Sequence, residues 1–172
     1  GRFIVVEGID GSGKSSFAKA LAAAPHRLFT TEPWTSAPGK KARDLMQSGG
    51  ATDGDLLELF SQDREHHLDN YILPALVSGS DVICDRYLLS TLAYQGPRLG
   101  RQAVLDANIR ALTPHVTIFL RVDPALAHRR ILARNIPMAP HESLPSLMSL
   151  ADAYEEEMGH MDQSVLGRLI VI

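Results

Sequence analysis

The chain has 172 residues, 45% of them apolar and 22% charged, with a formal net charge of −3. That length suits one domain with a sizeable core, and the slightly acidic balance gives no global attraction to nucleic acid or an anionic membrane. The apolar runs are too short to span a bilayer, and the N-terminus enters a strand pattern rather than a signal sequence, so the cytoplasm is the expected compartment. A single cysteine, Cys84, excludes an internal disulfide and any multi-cysteine metal site. The seven histidines show no H-E-x-x-H spacing. His66 and His67 are adjacent, so on a helix they point about 100° apart and make a poor chelate.

Residues 3–6, Phe-Ile-Val-Val, form a short β-branched run suited to a buried strand. Residues 8–15 then fit G-x-x-x-x-G-K-[ST], and residues 16–24 are rich in good helix formers. Strand, glycine loop and helix in that order make a phosphate cradle. Glycines allow a tight turn with N–H groups pointing inward, and the helix presents its positive end to the same anion. Gly8, Ile9, Asp10, Gly11, Ser12, Gly13, Lys14, Ser15 and Ser16 are therefore expected to bind a nucleoside triphosphate. Lys14 would reach the terminal phosphates, and the Ser15 hydroxyl would ligate Mg²⁺.

Strand and helix patterns alternate onward, which predicts an α/β fold with a mainly parallel sheet. A second strand over 27–31 ends at Pro33, and a loop over 32–39 follows at its carboxyl end, where open α/β sheets place ligands. A short helix is expected over 40–47 and a mostly helical stretch over 55–77, kinked or interrupted at Pro74. Phe60 and Arg64, four apart, share a helix face. A ring and a guanidinium so placed can stack on a base and bond its edge. Spacing alone favours a plainer reading, with Phe60 in the core and Arg64 a solvated charge.

The third strand spans 81–84, where Cys84 reads as a buried, inert thiol, and Asp85 after it is a candidate acid for the Mg²⁺ shell. A helix over 88–94, a loop at Gly96-Pro97 and a helix over 101–112 come next. The fourth strand covers 115–122, and Asp123-Pro124 opens a helix bearing Arg129, Arg130 and Arg134. A mobile-looking loop over 135–141, an acidic helix over 147–158 and a fifth strand over 169–172 complete the chain.

Taken together, several segments resemble the thymidylate kinases of the nucleoside monophosphate kinase family. They are residues 7–15, Thr31-Glu32-Pro33, residues 38–43, Leu59 through Arg64, Asp85-Arg86-Tyr87, Ser90 through Gly96, and Val122-Asp123-Pro124. The P-loop is generic, but the D-R-Y…S-x-x-A-Y-Q-G run is specific to that family. The resemblance implies a single three-layer P-loop domain over 1–172 with a five-stranded parallel sheet ordered 2-3-1-4-5, and a lid over about 135–147. It implies transfer of the ATP γ-phosphoryl group to dTMP, giving dTDP on the way to dTTP, with Mg²⁺ beside ATP and a possible homodimer. It further implies that Phe60 stacks on thymine, that Arg64 bonds a base oxygen, and that Thr91 and Gln95 read the base edge. Tyr94 would lie under the deoxyribose, Asp10 would meet its 3′-hydroxyl, and Arg43 and Arg86 would hold the monophosphate. Glu32 and Ser90 would complete the acceptor site, and Asp85 would support Mg²⁺ with Ser15.

Three departures stand out. Thr31 replaces the family's usual arginine before Glu-Pro. Members with a glycine at the place of Gly11 supply a catalytic arginine from the lid, yet residues 135–147 contain none. Arg130 and Arg134 are the nearest substitutes, with His141 a weaker one. The sequence also stops at the fifth strand, without the family's adenine-contacting loop and closing helix, as in an unusually compact member or an incomplete sequence. Two rival functions follow. A deoxynucleoside kinase would use Glu32 as base for a 5′-hydroxyl, though Arg43 and Arg86 would then have no phosphate to bind. A nucleotide-binding module without transferase activity would explain the lid.

Overall fold

The computed structural model describes residues 1–134 and 136–172, so Asn135, first residue of the expected lid, lies outside the described residues. The β-branched runs become five strands: β1 (Phe3–Glu7), β2 (Arg27–Thr31), β3 (Asp81–Asp85), β4 (Val116–Phe119) and β5 (Arg168–Val171). They form one sheet in the order β2-β3-β1-β4-β5, with every pair parallel. This is the expected order. Parallel neighbours need long crossovers, and helices supply them. They are α1 (Lys14–Ala22), α2 (Ala37–Ser48), α3 (Asp53–His67), α4 (Leu73–Val77), α5 (Leu88–Leu99), α6 (Arg101–Ala107), α7 (Pro124–Leu132), α8 (Leu144–His160) and α9 (Gln163–Leu166).

Strand alternation sorts the core into layers. Val6 and Ile83 pack with Phe17, Ala18 and Leu21 of α1. Phe3, Val5, Val82 and Cys84 face the other way, against Leu68, Ile72, Leu88, Leu92 and Val104. A third cluster joins Phe119 of β4 to Ala127, Ile131, Leu147, Leu150 and Tyr154 of α7 and α8. Cys84 is fully buried, as its sequence context predicts. Because all strands run the same way, the carboxyl ends of β1, β2 and β3 converge. Those ends deliver the P-loop, Glu32 and Asp85-Arg86 to one place.

Several boundaries differ from expectation. Ser36 caps α2 by accepting from the Gly39 N–H, with Pro38 in the first turn, so α2 starts before residue 40. Thr52 and Asp55 form a capping box that starts α3 at Asp53. Helix continues through Pro74, preceded by a π-segment, Leu68–Ile72, whose wider turn lies where proline removes the ordinary bond. The Gly96-Pro97 loop is instead the last turn of α5, which ends at Gly100 with φ 88°. There a packed helix surface overrides local propensity. The β4 and α6 spans are shorter than expected, α9 was not foreseen, and α8 begins inside the expected lid. Among the described residues, no helix is long and apolar enough to cross a membrane.

Candidate active site

The P-loop leads from β1 into α1 through Gly13, at φ 94°. Gly11 is required twice over. Its φ is 78°, and a Cβ there would collide with the Ala127 carbonyl oxygen of α7. Arg130, one turn further along α7, donates from Nη1 to the carbonyls of Gly11 (3.4 Å) and Ser12 (3.3 Å). Lys14 is buried, and its Nζ donates to the Ile9 carbonyl at 3.2 Å and to Asp10 Oδ1 at 3.4 Å. Burial, and then the Arg86 charge, bring its ammonium down to about 8 against the opposing pull of Asp10 and Asp85.

Ser15 Oγ donates to Asp85 Oδ2, while Asp85 Oδ1 is buried without a partner. A hydroxyl beside a carboxylate with one unused oxygen suits a hard, oxygen-seeking cation. Among the described residues, no group of three or more His, Cys, Asp or Glu side chains is arranged to hold a metal ion by itself. A cation at Ser15 and Asp85 would therefore draw most of its ligands from phosphate and water.

The turn after β3 carries Arg86 in the left-handed region, at φ 72°. Its guanidinium donates to Asp10 Oδ1 at 2.5 Å, Ser90 Oγ at 3.2 Å, the Tyr94 hydroxyl at 3.3 Å and the Tyr154 hydroxyl at 3.5 Å. Tyr94 donates to Asp10 Oδ2 at 2.7 Å. Burial works to raise the Asp10 carboxyl, but Arg86, then Lys14 and the Tyr94 bond, hold it well below the usual carboxylate range. Burial likewise pushes the Tyr94 phenol up.

Behind this group lies Glu7, fully buried at the end of β1. Its Oε1 accepts from the backbone N–H of Tyr87 (2.8 Å) and Ser90 (3.1 Å). Its Oε2 accepts from Ser90 Oγ (2.6 Å) and Tyr154 (3.3 Å). The α5 cap residue, Tyr87, makes no side-chain cap bond of its own, so a carboxylate from the neighbouring strand does that work. Burial raises this carboxyl, with Ser90 and Arg86 pulling the other way.

A cavity of about 330 Å³ opens beside Arg86 and Asp10, lined among others by Phe60, Arg64, Thr91, Tyr94 and Gln95. Arg64 is only 3% exposed. Its Nε and Nη2 donate to Glu32 Oε2 at 2.9 and 2.6 Å, Nη2 also reaches Thr91 Oγ1 at 3.1 Å, and Nη1 donates to Asn108 Oδ1. The Tyr87 ring lies 4.7 Å from the guanidinium. Glu32 Oε1 faces His67 Nδ1 at 3.3 Å, His67 Nε2 meets Thr30 Oγ1 at 2.7 Å, and the His67 ring stacks on Trp34 at 5.1 Å. Asp63 ties down the loop after β2 through the Trp34 N–H and Ser36 Oγ, and Gly39 admits that contact because a Cβ would strike Asp63. Gln95 Oε1 is buried without a partner.

The plainer reading of Phe60 and Arg64 therefore fails in both halves. Phe60 lines a cavity, and Arg64 is a buried cation held by Glu32, Thr91 and Asn108. Arg43 donates to the Pro33 carbonyl at 2.5 Å and does not line the cavity. Arg134, 44% exposed, pairs with Glu142 at 3.5 Å. His141 sits edge-on to Tyr94, its Nε2 4.0 Å from Asp10. Sequence reasoning missed Tyr154, Asn108 and His67. Two of them lie on elements with no motif, and no local spacing joins Asn108 to Arg64 across 44 positions.

Comparison with known proteins agrees with this geometry. The family model described as thymidylate kinase matches residues 6–166. The protein named "Probable thymidylate kinase" from Thermococcus gammatolerans is 40% identical over 151 residues, spanning 79% of this chain and 73% of that protein. The thymidylate kinase of Leptospira interrogans is 36% identical over 165 residues, covering 90% and 80%. The crystal structure of thymidylate kinase from Ehrlichia chaffeensis superposes with a TM-score of 0.74 at 25% identity, covering 99% of this chain and 91% of that one.

Proposed function

This chain belongs to the thymidylate kinase family, ATP-dependent kinases that convert dTMP to dTDP, and from that premise we propose how its residues divide the work. The base enters the cavity against Phe60. One observation carries this reading. Arg64 offers a hydrogen-bond donor and Gln95 Oε1 a buried acceptor without a partner. That pair complements a 4-oxo pyrimidine with a protonated N3, whereas cytosine presents a donor and a lone pair in reverse. The 5′-phosphate takes the end of the cavity nearest Arg86, with Arg43 closing from α2. The sugar lies along Tyr94 and Asp10, where a 2′-hydroxyl finds neither room nor partner.

ATP places its β- and γ-phosphates in the loop of residues 8–16, on inward N–H groups and Lys14. Ser15 and Asp85 would hold Mg²⁺, which neutralises charge on the phosphates when bound. The acceptor is already an anion, so no general base is needed. Catalysis rests on bringing two anions into line and offsetting their charge. Arg130, already on the P-loop carbonyls, and Arg134, released from Glu142 as the lid closes, supply cations near the transferred group.

A deoxynucleoside kinase is not favoured. Its base would be Glu32, whose oxygens are committed to Arg64 and His67. Coupled ADP release, measured with dTMP, dCMP, thymidine and no acceptor, tests the proposal. Turnover should require a monophosphate and prefer dTMP. Equal turnover with thymidine would overturn the phosphate site, and ADP release independent of acceptor would overturn the acceptor cavity.

A further inference from the structure

A guanidinium has five N–H donors. In Arg64 the Nε proton goes to Glu32, the two Nη2 protons go to Glu32 and Thr91, and one Nη1 proton goes to Asn108. Four are spent inside the protein and one, on Nη1, is left. Both Glu32 bonds converge on one oxygen, Oε2, so the bond from Nη1 to Asn108 helps set the tilt of the rigid guanidinium and with it where the remaining donor points. Asn108 follows α6, is itself only 7% exposed, and has its own amide pinned because Nδ2 donates to the Val104 carbonyl at 2.8 Å. Its backbone is fixed too, with Asn108 N bonded to the Leu105 carbonyl and its carbonyl to Ala111 N.

We propose that Asn108 is a positioning residue for base selection: it holds Arg64 Nη1 so that a single N–H faces the cavity, ready to donate to a substrate with an oxygen at that edge. This rests on the assignment of the cavity to the base. Without Asn108, Nη1 would have two free protons and the planar guanidinium could tilt about the single Glu32 oxygen that holds it. The guanidinium would still be anchored through Glu32, but its donor would no longer be directed.

Asn108 also closes α6, so a plain capping role must be separated from positioning. Two substitutions do this. Asn108→Asp loses the amide bond to Val104 but keeps an acceptor for Arg64, while Asn108→Ala loses both. Melting curves and steady-state kinetics with dTMP and dCMP should be measured for both variants, with Asn108→Ser as a second truncation if the alanine variant does not fold. Both should melt earlier. Asn108→Ala should raise the KM for dTMP about tenfold, with kcat little changed, and shrink the dTMP-to-dCMP preference by about the same factor, as for one directed charge-assisted bond. Asn108→Asp should keep that preference. If both variants melt earlier yet keep the wild-type preference, Asn108 is only a cap and the inference falls. If Asn108→Asp loses the preference as fully as Asn108→Ala, the Val104 bond matters and not the Arg64 contact, which also overturns it. A wild-type protein that takes dTMP and dCMP equally would instead defeat the base assignment itself.

Discussion

Arg86 holds a left-handed backbone at φ 72°, a conformation that costs a non-glycine residue on the order of 1–3 kcal/mol. The guanidinium contacts to Asp10, Ser90 and Tyr94 offset that cost and aim the side chain at the cavity. Arg86→Ala should weaken dTMP recognition by at least about 2 kcal/mol, because a phosphate charge loses its partner. Thymidine binding, measured by calorimetry, should barely change. Arg86→Gly should lose dTMP equally but melt later than Arg86→Ala, since glycine accepts the positive φ. Lys14 makes a second prediction. Its folded value of about 8 lies below the ordinary 10.5, so between those pH values the unfolded chain binds more protons, and stability should rise with pH across that window. ATP affinity should fall over the same range as the ammonium loses its proton, and the fall should shift upward in Lys14→Arg. A flat affinity from pH 7 to 10 would remove Lys14 from the phosphate site. These residues were legible because their motifs fix both type and spacing. The ones that orient them were not, since Glu7, Tyr154 and Asn108 act from elements far away in sequence.

Helix α5 brings Ser90, Thr91, Tyr94 and Gln95 to the site on one face, at spacings of one, four and five. What fixes its start is Glu7 in place of a local cap. Glu7→Ala should cost about 1–3 kcal/mol of stability by leaving two buried N–H groups unpaired, and raise the KM for dTMP because four contacts ride on the displaced turn. Thermal melts and kinetics check both. Glu7→Gln keeps an acceptor and should be milder. It should also remove a pH dependence. The Glu7 carboxyl is raised in the folded state, so its contribution is full below its ordinary value of 4.5 and is lost as pH rises through the folded value. Helix edges were the poorest part of the sequence reading. Gly96-Pro97 carries strong turn chemistry, yet Gly96 packs within reach of Glu157 of α8 and the helix runs on. Pro74 is likewise absorbed by the π-segment before it. In both places tertiary packing outweighs a local signal that a single sequence displays in isolation.

The sheet order was readable because strand–helix alternation and short β-branched runs allow few parallel topologies. Residues 135–147 were readable only as a loop, and the two proposed cations, Arg130 and Arg134, lie in α7 and just beyond it. Arg134→Ala should lower kcat far more than it weakens ATP binding, as for a contact made mainly in the transition state. Normal turnover in Arg130→Ala, Arg134→Ala and the double variant would leave Lys14 and the metal as sufficient. The close approach of Gly11 to Ala127 has a mechanical consequence. Helix α7 touches the phosphate loop at Ala127, reaches its carbonyls through Arg130, and ends at Leu132 shortly before the expected lid. On the proposed assignment, α7 is a lever that couples the triphosphate in that loop to a lid over residues 135–147. A side chain at position 11 would act as a wedge under that lever, so the cost of Gly11→Ala should appear in lid closure as well as in ATP affinity. By reciprocity, an acceptor that draws the lid down should tighten the grip on the donor nucleotide by the same factor that the donor tightens the acceptor.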